Sequence, residues 1–184
     1  AIVVVLALGT ILGRAVAPHA AAVTLGQATQ VTSGAGLEIL PAISPDGKFV
    51  AYAAGTSARM RVFVRPVAGG RTIPLTDDST EVEIQPRWSP DGATILFLAG
   101  GGVQTAPALG GSARPLIPPG ARPVTAAAWS PDAREVAFVR GDSLYGFTVA
   151  TGTTRAIAPG AQLHSCAWSP AGPVIACVAG NPEF

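Results

Sequence analysis

The chain has 184 residues, enough for one domain plus an N-terminal segment. Charged residues make up 12% and the formal net charge is +1, with Lys48 the only lysine, which excludes nucleic-acid binding through bulk charge and leaves little for electrostatic steering. Two Cys and two His, with His19 far from the other three, give no zinc-ligand spacing.

Residues 1–13, AIVVVLALGTILG, are apolar apart from Thr10, and Arg14 interrupts before Ala15-Val16-Ala17. A membrane span needs about 20 apolar residues. Residues 1–17 therefore read as a truncated transmembrane helix, or as a signal-peptide core with Ala20-Ala21-Ala22 as its small-residue cleavage site, or as a buried core helix. The first two readings place the rest of the chain outside the cytoplasm. Arg14 on the outer flank runs against the positive-inside tendency. Residues 18–27 form a small-residue linker, and Ala28–Thr32 reads as a lone strand followed by turn residues Ser33–Gly36. With no initiator Met and a stop shortly after the second strand of a repeat, the chain reads as cut at both ends.

From Pro41 onward one unit occurs four times, with its serines at 44, 89, 130 and 169, spaced 45, 41 and 39 residues apart. A period near forty marks a repeat architecture. The copies are Ile43-Ser44-Pro45-Asp46-Gly47, Trp88-Ser89-Pro90-Asp91-Gly92, Trp129-Ser130-Pro131-Asp132-Ala133 and Trp168-Ser169-Pro170-Ala171-Gly172. Each is turn chemistry: Pro presets φ, Asp bonds its own backbone, and Gly tolerates positive φ. A β-rich run follows each turn, and the eighth residue past the serine is Tyr52, Phe97, Phe138 and then Cys177. Large apolar groups on both arms of a hairpin are a packing device for sheets. Asp46, Asp91 and Asp132 are therefore read as turn residues, not as catalytic or metal-binding groups.

Two more strands follow in each period. They are Arg61–Val67 and Thr72–Thr76, Val103–Leu109 and Ala113–Ile117, and Leu144–Val149 and Thr154–Ala158, joined by Gly-containing turns. Four strands per repeat make one propeller blade. The predicted fold is all-β: a partial β-propeller of four-stranded antiparallel blades behind an N-terminal apolar helix. Its blades are 41–85, 86–126 and 127–165, with a partial one at 166–184, about three and a half blades of a six- or seven-bladed ring.

The four copies resemble the blades of TolB-type, WD-repeat-like bacterial β-propellers, over about residues 28–184. The departures are Ile43 for Trp, Ala133 for the turn Gly, Ala171 for Asp and Cys177 for the aromatic. The stretch Thr29-Gln30-Val31-Thr32, Gly36-Leu37-Glu38 and Pro41–Gly47 further resembles the propellers behind the membrane span of bacterial serine/threonine protein kinases. That resemblance implies a non-catalytic recognition or sensor module, tethered by residues 1–17 outside the cytoplasmic membrane and linked to a kinase domain. It implies a protein or small ligand at the propeller mouth or inter-blade loops; no cofactor is expected, and the low net charge argues for no nucleic acid. Two alternatives stay open: a TolB-like periplasmic scaffold, and the gating propeller of a prolyl-oligopeptidase-type serine hydrolase whose nucleophile lies beyond Phe184.

No catalytic constellation is expected. The Gly-x-Ser-x-Gly elbow is absent, and His164 is read as a blade-edge residue pointing away from its neighbour Ser165. The acidic run Asp77–Glu83 is read as a solvated inter-blade loop, and Arg61, Phe63 and Arg65 as one face of an outer strand shielding its edge. Trp88, Trp129 and Trp168 are expected buried between blades. Cys166 and Cys177, on the two arms of one hairpin, are expected close, buried and reduced, with a disulfide as the alternative.

Overall fold

The computed structural model describes residues 28, 30–32, 34, 36–76, 81–160 and 162–180. The apolar helix expected at 1–17 and the linker at 18–27 lie outside these residues. Among the described residues no helix is long and apolar enough to cross a membrane. Residues 28 and 30–32 carry no strand, contrary to the sequence reading.

Alternation of apolar and polar residues, punctuated by Gly and Pro turns, produces fourteen strands among the described residues. The first sheet holds β1 (Leu37–Ile43), β2 (Phe49–Thr56), β3 (Arg59–Pro66) and β4 (Ile73–Pro74). The second holds β5 (Ile84–Trp88), β6 (Thr94–Ala99), β7 (Gly102–Pro107) and β8 (Arg114–Ile117). The third holds β9 (Val124–Trp129), β10 (Glu135–Arg140), β11 (Ser143–Thr148) and β12 (Thr153–Pro159), and the last sheet pairs β13 (Leu163–Trp168) with β14 (Ile175–Ala179). Strand order follows chain order in every sheet, and all the pairs are antiparallel. These are three four-stranded blades and a two-stranded one. Each first strand begins ahead of the boundaries 41, 86, 127 and 166.

Blades pack through one recurring set of positions. The residues one before, six after and eight after each serine point at the preceding blade. Trp88, Ile95 and Phe97 meet Phe49, Ala51, Val62, Val64 and Leu75 of blade 1. Trp129, Val136 and Phe138 meet Leu96, Leu98, Val103 and Ile117 of blade 2. Trp168, Ile175 and Cys177 meet Ala137, Val139 and Leu144 of blade 3. Phe97 and Phe138 are fully buried, each burial stabilising by about 1.5–3 kcal/mol. The period-2 geometry of a strand explains the pattern, since positions +6 and +8 share a face while +5 and +7 face the next blade. In blade 1 the same positions hold Ile43, Val50 and Tyr52, and Ile43 is 68% exposed.

Contrary to the sequence reading, the three tryptophans are half-buried. For Trp88 and Trp168 the indole N–H reaches a backbone carbonyl of the preceding blade. Trp88 Nε1 donates to Ala42 O at 2.9 Å, and Trp168 Nε1 to Ala128 O at 3.2 Å. An indole buried deeper would lose that partner.

The first strands are also bulged. Leu40, Gln85 and Ser165, each four residues before its serine, hold φ of 56°, 54° and 52°. Register shifts at Ile39/Ala42, Ile84/Arg87 and His164/Cys166 mark the same points. Such bulges bend a strand and re-aim its side chains.

Candidate functional site

Each Ser-Pro-Asp turn is a closed hydrogen-bond circuit. Ser44 Oγ donates to Asp46 Oδ1 at 2.7 Å and accepts the Phe49 N–H at 2.9 Å, while Asp46 Oδ1 also accepts the Lys48 N–H at 3.1 Å. Ser89 with Asp91 repeats this at 2.5, 3.0 and 3.0 Å, and Ser130 with Asp132 at 2.7, 2.9 and 3.1 Å. The serines are buried. The hydrogen bond from serine, and then the backbone N–H, holds the carboxyls of Asp46, Asp91 and Asp132 below their ordinary value. Lowered carboxyl groups of this kind stay ionised and are poorly matched to general acid work near neutrality. In the fourth copy Ala171 cannot complete the circuit, and Ser169 Oγ accepts only the Ala171 N–H at 3.2 Å.

The turn residues and tryptophans line clefts between blades. Ser44, Pro45, Asp46, Phe49 and Trp88 wall one of about 230 Å³, covered by Ala108 and Leu109 from the β7–β8 turn. Its counterpart between the third and last blades, about 570 Å³, has Ser130, Pro131, Asp132, Trp168 and Pro170–Pro173 along its walls. There Glu135 replaces the phenylalanine seen at Phe49 and pairs with Arg155 at 2.8 Å. The structure thus gathers the repeat residues into inter-blade seams; it does not bring them into one pocket.

Three sequence expectations are corrected. Glu83 is not solvated but 1% exposed. Its carboxylate accepts the Val62 N–H at 3.0 Å and the Thr76 hydroxyl at 2.6 Å. β4 is only two residues long and contains Pro74, so Glu83 supplies the acceptor that a longer strand would have given Val62. Asp77–Thr80 lie outside the described residues. Secondly, Arg61, Phe63 and Arg65 belong to β3, an inner position between β2 and β4. They share a face with Tyr52, whose ring lies 6.1 Å from that of Phe63, and Arg61 Nη2 donates to Thr76 O at 2.6 Å. Thirdly, Cys166 and Cys177 are bridged, with Cα atoms 4.1 Å apart. They stand directly opposite in the register that runs unbroken from the turn through Trp168 and Ile175, and the bulge at Ser165 lies beyond them.

One seam departs from the others. Ala42, Ala128 and Ala167 stand two residues before their serines, but the second blade has Arg87 there. Arg87 is half-buried, and its Nη1 donates to Pro86 O at 3.0 Å. Burial pulls its pKa down. At this same seam Trp129 Nε1 is buried without a partner. Nearby Gln85 Nε2 reaches across to Thr125 O at 3.0 Å. The sequence shows Arg87 as the odd copy, but not that it lies at a seam beside an indole N–H without a partner.

Among the described residues no three His, Cys, Asp or Glu side chains are grouped to hold a metal ion.

No family model and no curated protein matches the chain. Solved structures do. TolB from Acinetobacter baumannii is 23% identical with a TM-score of 0.61, over 71% of this chain and 35% of that one. A TolB from Agrobacterium tumefaciens described as putative is 21% identical with a TM-score of 0.64, over 77% and 53%. The β-propeller domain of Cps50 (Swd1) from Myceliophteria thermophila is 15% identical with a TM-score of 0.58, over 78% and 48%. The chain thus spans between 35% and 53% of the structures it resembles. Enzymes occur among the matches too, so the shared architecture does not itself divide binding from catalysis. What these likenesses establish is the fold: the described residues form TolB-like, WD-repeat-like β-propeller blades.

Proposed function

We propose that this chain is a non-catalytic recognition module, carried outside the cytoplasm and anchored through residues 1–17, within a receptor-like serine/threonine kinase. The observation that carries the binding part is how the polar repeat residues are used. The serines and aspartates are closed into turn circuits, which leaves the seams and first strands as recognition surface. The location is supported by the Cys166–Cys177 bridge, since disulfides persist in oxidising compartments. Kinase linkage rests on the resemblance of residues 29–47 and on the apolar N-terminal run.

A second reading, a TolB-like periplasmic scaffold, is favoured by the fold likeness to the two TolB structures. Alkaline phosphatase fused after Phe184 in the full reading frame tests the location. Activity supports both readings, and an inactive fusion of normal abundance would remove both. The upstream reading frame separates them. A kinase domain there selects the first, and a Met with a basic n-region selects the second.

A further inference from the structure

Three of the four first strands place alanine two residues before the turn serine, and only the second blade has a cation there, Arg87. A guanidinium carries five N–H donors in a planar fork. One of them is used on Pro86 O. No carboxylate is paired with Arg87 among the described residues, whereas Arg122, Arg134 and Arg155 each lie against one. Taking a cation out of water without an anion is costly, so such a group is normally paired.

The seam holds a second donor in want of an acceptor. In the flanking seams the indole N–H reaches the carbonyl of Ala42 or Ala128. The equivalent carbonyl for Trp129 belongs to Arg87, yet Trp129 Nε1 has no partner. Arg87 therefore coincides with the loss of the hydrogen bond that locks the other seams. It also stands beside the bulge at Gln85, and Thr125 across the seam is exposed.

We propose that the seam between the second and third blades is a carboxylate-recognition site, in which the Arg87 guanidinium is the principal donor and Trp129 senses its occupancy. A carboxylate suits this donor because its two oxygens match the guanidinium fork. The site deepens the recognition reading and rests on it only for the expectation that the carboxylate belongs to a protein partner. The site itself is tested with acetate, so the two can fail separately.

The experiment follows the three indole N–H resonances of the full chain during titration with sodium acetate, with sodium chloride at equal ionic strength as control. Trp129→Phe identifies the reporting resonance. The expected result is a saturable shift of the Trp129 signal, half-complete at roughly 10–100 mM as suits one charge-assisted contact, with Trp88 and Trp168 unmoved. Arg87→Ala restores the alanine of the other blades and so should fold. It is expected to abolish the acetate response and to move the Trp129 signal downfield as the indole regains a carbonyl. Arg87→Lys should weaken acetate several-fold. A response equal in chloride, equal in Arg87→Ala, or absent altogether would overturn the site. Inorganic phosphate binding more tightly than acetate would overturn the carboxylate assignment.

Discussion

Replacing Ser89 by Ala removes one oxygen atom and breaks the turn circuit at its centre. Ser89 is 3% exposed, donates to Asp91 and accepts the Thr94 N–H at 3.0 Å. Alanine leaves that N–H with no side-chain acceptor at the root of β6. A buried donor left unsatisfied costs about 1–3 kcal/mol. We therefore expect a loss of about 2 kcal/mol, read as a lower urea midpoint at unchanged slope. Ser169→Ala is the internal control, because Ser169 is half-exposed and only accepts the Ala171 N–H at 3.2 Å. It should cost under about 1 kcal/mol. If Ser89→Ala proved neutral, or Ser169→Ala equally damaging, the circuit would not be what fixes these hairpins.

Other expectations come from the same geometry. Ala133 holds φ of 57° where the first two copies use Gly47 and Gly92; Ala133→Gly should relieve about 1–2 kcal/mol of strain and return about 0.4–1 through unfolded-chain entropy, and a lower melting midpoint would refute this. Removing the Cys166–Cys177 bridge with paired serines should cost about 3 kcal/mol for a loop of this length, checked by denaturation of the oxidised protein beside the double variant. The three turn aspartates have folded pKa values below their unfolded ones, so their contribution is complete above the unfolded value and is lost as pH falls below about 4. The fall in urea midpoint between pH 7 and pH 3 should therefore shrink in Asp91→Asn, and an unchanged fall would contradict the shift.

How much was legible beforehand divides along physical lines. The blade architecture was open to reading because a tight turn has narrow chemistry: Ser-Pro-Asp-Gly allows few backbones, and four copies in register identify the repeat. Strand existence followed from period-2 patterning. The depth of Trp88 and Trp168 was not legible, because it goes with where each indole N–H finds an acceptor, and Ala42 and Ala128 lie forty or more residues away in sequence. Glu83 hid inside an acidic run for a similar reason. Its partners, Val62 and Thr76, become neighbours only after β4 stops at Pro74. The cysteine pair was legible as close, because Cys166 and Cys177 stand opposite in the register set by the turn; its oxidation was not, because spacing alone does not fix the redox state of two facing thiols.

The central claim is that the described residues recognise a partner through the first strands and seams. A photo-crosslinking residue placed at exposed Thr125 on β9, in the full-length protein in its native cell, tests this against the same residue at exposed Thr153 on the outer strand β12. The account predicts a discrete, ultraviolet-dependent adduct with a second protein from position 125 and none from 153. Adducts of equal yield from both positions, or none from position 125, would contradict it.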